Sequence, residues 1–157
     1  MAERRQLRFD SLDQAIADAE NLLANGYDKA GNWSLSQVCD HLNDWITYPV
    51  SGYPKAPFPM GMVMWLLKVT MGGKIRRSLL TERTMPPGQP TVKTTVHSVS
   101  EDAASVAKFR EAVERFMKYT GPIHPSPLFG AMDKDTADQL QRVHTAHHLS
   151  FLVPKVK

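Results

Sequence analysis

The eleven prolines of this chain are clustered, and the stretches between the clusters repeat apolar residues every three to four positions. A proline inside a helix removes a backbone donor and its ring clashes with the preceding turn, so the clusters cut the chain into separate helical pieces. Apolar residues at i, i+3, i+4 and i+7 give each piece one oily face that has to be buried against another. Together these predict helices joined by irregular loops, with little chain left for a sheet.

Leu12, Ala15, Ile16, Ala19, Leu22 and Leu23 form the first face, between Asp10 and Gly26, and predict a helix over about 11–25. Ser34, with Gln37 three residues on, reads as a capping box. Leu35, Val38, Leu42, Trp45 and Ile46 carry the second helix, which Pro49 is expected to end. A loop follows through Pro54, Pro57 and Pro59. Met60–Leu67 and the Lys74–Leu80 stretch predict a third helix, weakened at Gly72 and Gly73. Met85 to Pro90 reads as irregular. Val92 to Val99 alternates but has no partner strand, so it reads as an extended loop. Ser98 and Glu101 suggest another capping box, opening a helix over about 100–120 that Gly121 and Pro122 stop. Asp133 or Asp135 starts the last helix, expected to run through Leu140, Val143, Phe151 and Leu152 up to Pro154. The expected fold class is all-α, an up-and-down helix bundle with long proline-rich connections. A chain of 157 residues suits a single domain, expected to span 1–157 with its core at about 10–153.

Cys39 is the lone cysteine, so no internal disulfide can form, and a reducing, cytoplasmic setting is expected. The charge, 19 basic against 16 acidic residues, is too small to argue for nucleic acid. No apolar run follows Arg4 and Arg5, so no signal peptide is expected. The apolar stretch from Met60 to Met71, broken at Lys68, is about half of what a spanning helix needs, and no integral membrane association is expected. A basic cluster, Lys74, Arg76 and Arg77, follows it. A place on a membrane surface is one reading of that pairing. Methionines filling a bundle core or a dimer contact is the preferred one.

The chemistry lies in the histidines. Of six, four fall on predicted inward faces: His41 between Val38 and Trp45, and His144, His147 and His148 in the last helix. His144 and His148 are four apart and share a face; His147 is three from His144 on the same broad stripe. A buried imidazole needs partners for both nitrogens, and several converging neutral rings cannot all satisfy one another. A divalent metal resolves this by taking one lone pair from each ring. A pair four apart on one helix, with a third ligand from a neighbouring helix, leaves positions open for water and substrate. Spacing alone does not choose between His147 and His148, and a packing role for all of them is the competing reading. Asp40 and Asp44 flank His41 and are candidates to orient its ring, with solvent exposure the simpler reading. Cys39 points about 200° away from His41 on a helix and reads as a core or interface residue. His97 and His124 fall in predicted loops and read as solvent or turn histidines.

Trp33-Ser-Leu-Ser-Gln-Val-Cys-Asp-His41-Leu42 near the start and His144-Thr-Ala-His147-His148-Leu149 near the end resemble the DinB/YfiT-like superfamily of helical-bundle metalloenzymes. The first segment matches its W-[ST]-x-x-[QE]-[IV]-x-x-H-[LI] pattern and the second its H-x-x-H-H pattern. Met85-Pro-Pro-Gly, Phe129-Gly-Ala-Met-Asp and Phe151 look like a branch known only as a domain of unknown function. The resemblance covers about residues 10–153. It implies a four-helix bundle with a metal held by His41, His144 and His148, and His147 as a supporting or packing residue. It implies a metal-dependent enzyme acting on a small molecule, of the thiol-dependent transferase or hydrolase type. Zinc or nickel suits imidazole ligands, and the resemblance adds a low-molecular-weight thiol as a candidate cofactor; a homodimer, with the Met60–Leu67 segment as a candidate contact, is the candidate assembly. Where relatives carry Arg-Gly-Gln after the last histidine, this chain has Leu149-Ser150-Phe151, so no substrate is carried over. The alternative is a non-catalytic binding or stress-associated protein with a vestigial metal site.

Overall fold

A computed structural model of the protein describes residues 2–88 and 91–155. Gln89 and Pro90 of the expected irregular segment lie outside the described residues. The chain is predominantly helical, and the expectation of an all-helical chain is corrected by a small two-stranded sheet.

Helix α1 (Leu12–Asn25) is capped by Ser11, whose hydroxyl accepts the Gln14 N–H, and Gln14 Oε1 in turn accepts the Asp10 N–H at 2.8 Å. Gly26, at φ +73°, ends it in a conformation that a side chain disfavours. Helix α2 (Leu35–Ser51) opens on the expected capping box: Ser34 Oγ accepts the Gln37 N–H and Gln37 Oε1 accepts the Ser34 N–H. It runs through Pro49 to Ser51, two residues beyond the expected stop, with Gly52 as its C-cap. Helices α3 (Met60–Leu67) and α4 (Gly73–Glu82) are joined by a wide π-type turn over Lys68–Gly72, just ahead of the expected weak point.

Helix α5 (Asp102–Lys118) lacks the box read from Ser98 and Glu101. Its first residue is used differently. The Asp102 carboxylate accepts the Ser36 N–H at 2.8 Å and the Tyr27 hydroxyl at 3.0 Å, so it ties the start of α5 to the start of α2. Helix α6 (Lys134–Leu149) is capped by Asp133, which accepts the Thr136 N–H at 2.7 Å. It stops at Leu149, short of the expected end near Pro154. The chain beyond turns into a strand, β2 (Leu152–Pro154), antiparallel to β1 (Tyr27–Lys29) with Asp28 opposite Val153. Pro154 cannot continue a helix, and the backbone groups of β1 offer the alternative partners.

Helices α1, α2, α5 and α6 share one core in which Leu12, Leu22, Leu35, Leu42, Phe109 and Phe116 are buried. Each such side chain contributes roughly 1.5–3 kcal/mol by leaving water. Both α1 and α2 pack on α5 and on α6. Helix α4 lies on the outside of α6, with Ile75 and Leu79 against Leu140 and Val143. The reading of the Met60–Leu67 segment as core is overturned: no residue of α3 is buried. Among the described residues, no helix is long and apolar enough to cross a membrane.

Candidate metal centre

The end of α2 positions the site. Pro49 has no N–H for the carbonyl four residues back, that of Trp45. Gln141 of α6 supplies the missing donor, its Nε2 bonding the Trp45 carbonyl at 2.8 Å. Gln141 lies one turn before His144, so this bond fixes the histidine face of α6 against the half of α2 that carries His41. The helix survives its proline because a neighbouring helix satisfies the carbonyl that the proline orphans.

The structure brings His41, His144 and His148 together, with one ring nitrogen of each within 4.8 Å of the others. His41 Nδ1 donates to the Thr95 carbonyl at 3.0 Å. A carbonyl only accepts, so the His41 proton sits on Nδ1 and the lone pair on Nε2. That Nε2 lies 3.3 Å from His144 Nε2, which lies 3.0 Å from His148 Nε2. If His144 Nε2 carries the proton it donates well to one neighbour and has no lone pair for the other; if it accepts from His148 Nε2–H, its lone pair faces that of His41, so only one of the two contacts is a hydrogen bond at a time. A single cation would take all three. With metal–nitrogen bonds of about 2.0–2.1 Å, ligands 90–110° apart stand roughly 2.9–3.4 Å from each other. Both short nitrogen–nitrogen distances fall in that range, so the residues fit a bound divalent ion.

Aromatic rings hold the imidazoles in place. Trp33 stacks on His148, ring centroids 5.5 Å apart and planes 6° from parallel, and meets His41 nearly edge-on at 5.1 Å. Trp45 lies edge-on to His144 at 5.8 Å. Burial lowers the basicity of all three rings: His41 is brought down to about 4, and His144 and His148 fall well below the ordinary histidine value. Neutral rings with free lone pairs are the form a metal requires.

The other candidates are placed elsewhere. Asp44 does not reach His41; its carboxylate pairs with His97 Nε2 at 2.7 Å, and both side chains stay partly exposed, His97 in a loop as expected. Asp40 accepts from the Ser100 hydroxyl at 3.2 Å. Cys39 is fully buried, and burial pushes its thiol up, away from the thiolate form. The His124 N–H donates to the Pro49 carbonyl. His147 is buried beside the trio, its ring edge-on to that of His148 at 4.9 Å. Its Nδ1 lies 3.0 Å from the Met85 carbonyl and 3.1 Å from Arg4 Nη2, contacts that need opposite tautomers, so only one is a hydrogen bond at a time. It also lines a cleft of about 680 Å³ with Arg4, Arg8, Arg83 and Ser150.

Three contributors escaped the sequence reading. The Thr95 carbonyl has no sequence signature, because any residue has one. Arg4 stands 143 residues from His147 in the chain. Gln141 did carry a signal: with His144, Thr145 and His148 it forms a polar face at helical spacing, on a helix that has to bury that face. Buried Trp45 Nε1, Gln141 Oε1 and Thr145 Oγ1 have no hydrogen-bond partner among the described residues.

A cluster of three imidazoles, built on the core helices of a mostly helical chain, defines the class: a helical protein with a histidine group able to hold a metal ion. The chain belongs to the family described as "Protein of unknown function (DUF1569)", whose family model matches residues 1–155. No curated protein and no solved structure matches it.

Proposed function

We propose that this protein is a metal-dependent enzyme of the DinB/YfiT-like type, built on an up-and-down four-helix bundle and acting on a small molecule. His41, His144 and His148 hold a divalent transition metal, zinc or nickel. The observation that carries the reading is the convergence of three Nε2 atoms at 3.3 and 3.0 Å, with the first of them fixed in its tautomer by the Thr95 carbonyl. The bound ion supplies a Lewis acid that lowers the pKa of a coordinated water or thiol. The protein's own part is positional. Thr95 and Trp33 hold the ring of His41, Trp33 and Trp45 limit the rotation of His148 and His144, and the Gln141 brace keeps α2 and α6 at a fixed separation. Three protein ligands leave coordination positions open, as hydrolytic and thiol-transfer chemistry both require.

The test is reconstitution of metal-free protein with zinc or with nickel, followed by assays of thiol transfer to an electrophile and of ester and amide hydrolysis. Metal-dependent turnover is expected in the wild type and not in His41→Ala, with unchanged circular dichroism. Metal-loaded wild type that turns over no faster than the variant contradicts the enzyme reading. It would leave a metal-binding protein without this chemistry.

A further inference from the structure

The segment from Phe58 to Met71 inverts the usual distribution of apolar residues. Phe58 is 87% exposed, Met62 60%, Trp65 57% and Leu66 54%, and Met60, Val63, Val69 and Met71 are exposed as well. These residues cover a wide arc of the helix, and only the Gly61, Met64 and Lys68 side is half-buried. Contiguous exposed apolar surface on this scale marks a site that something else covers. The base of the segment is firmly held. A Cβ at Gly72 would collide with the Leu128 carbonyl oxygen, so the backbone there lies close against its neighbour. Arg76 donates to the Phe129 and Ala131 carbonyls, and Leu79 is buried against α6. An apolar finger therefore projects from a fixed root.

Charge decides what covers it. From residue 45 to residue 81 the chain has no aspartate or glutamate, while Lys55, Lys68, Lys74, Arg76 and Arg77 all fall within that stretch. Lys55, Lys74 and Arg77 are exposed around the finger. In a two-fold dimer a patch meets its own copy, so this cationic fringe would face itself. A flat protein partner would also leave part of so wide an apolar arc in water. A bilayer can surround such a helix, and its anionic headgroups complement the fringe. The eight residues of α3 are about 12 Å long. That fits within one leaflet of a hydrocarbon core about 30 Å thick.

We propose that α3 and its flanking residues, Phe58 to Met71, form a peripheral membrane-docking element that inserts into one leaflet of an anionic bilayer. Trp65 and Phe58 enter the interface, and Lys55, Lys74 and Arg77 meet the headgroups.

The experiment is co-sedimentation of the intact protein with vesicles of phosphatidylcholine alone, or with roughly a third phosphatidylglycerol. The wild type is expected to pellet with the anionic vesicles, less in high salt, and several-fold less with the neutral ones. The double variant Trp65→Ser, Leu66→Ser is expected to lose roughly tenfold or more in vesicle affinity with an unchanged thermal melt. The variant Lys74→Glu, Arg77→Glu is expected to weaken binding to anionic vesicles alone. Wild type that pellets no better with anionic vesicles than without vesicles overturns the proposal, as does binding that the double serine variant retains. A concentration-dependent dimer that the serine variant abolishes, with no vesicle binding, also overturns it and assigns the face to a second copy of the chain.

Discussion

The facing sides of α2 and α6 put imidazoles where a helical stripe calls for leucine, whereas α3 puts tryptophan, methionine and leucine where solvent calls for lysine. The two departures differ in what they couple to. The histidines lie among Trp33, Trp45 and the Thr95 carbonyl, and the helices that carry them share the core with Phe109 and Phe116. Altering them changes a packed interior. The α3 side chains touch little, so altering them leaves the fold alone and changes only what the surface can meet. The buried polarity is a histidine group able to hold a metal ion, and the exposed apolarity is the proposed docking face.

The largest effect is expected from His144→Ala, which removes the nitrogen common to both short contacts. Zinc affinity, read by chelator competition, should fall by more than the roughly 10–100-fold typical of losing a group that merely supports a ligand. Trp65→Ser should leave it unchanged; equal losses in the two variants would erase the distinction. Next, Phe109→Ala should cost about 3–5 kcal/mol in urea denaturation, and Trp65→Ser no more than about 0.5 kcal/mol.

Acid should sharpen the contrast. In the unfolded chain the site imidazoles take protons near pH 6.5, whereas in the folded protein burial holds His41 neutral down to about 4 and keeps His144 and His148 neutral well below the ordinary value. Within that window the unfolded state binds more protons. The stability of the metal-free protein should therefore fall as pH drops from about 6.5 towards 4, by an amount on the order of a few kcal/mol. A melting temperature that stays level between pH 7 and pH 5 would contradict this burial. A smaller effect is expected from Gln141→Ala, which strands the Trp45 carbonyl beside Pro49: about 1–3 kcal/mol, with a loss of zinc affinity smaller than that of His144→Ala.

Much of the scaffold is legible in the chain. The stripes of α1, α2, α5 and α6 are regular, and the Ser34–Gln37 box marks the start of α2 to the residue, because caps are local chemistry. The same periodicity puts His41, His144 and His148 on inward faces. What escapes is tertiary. Pro49 reads as a stop until Gln141, 92 positions away, takes over the bond it deletes. The pairing of β1 with β2 rests on three-residue strands, too short for any period to show. Asp102 reads as part of a helix start, but its carboxylate serves α2 and Tyr27. The Met60–Leu67 segment has the composition of a core, and composition carries no record of whether a partner surface exists.

The most direct test of the central claim is elemental analysis of the protein purified without a histidine tag, beside His148→Ala, after both are incubated with zinc and desalted. About one equivalent of metal per chain is expected in the wild type, and little or none in the variant with its circular dichroism unchanged. A wild type that takes up no metal, or a variant that keeps the full equivalent, would contradict it and leave the three imidazoles as packing.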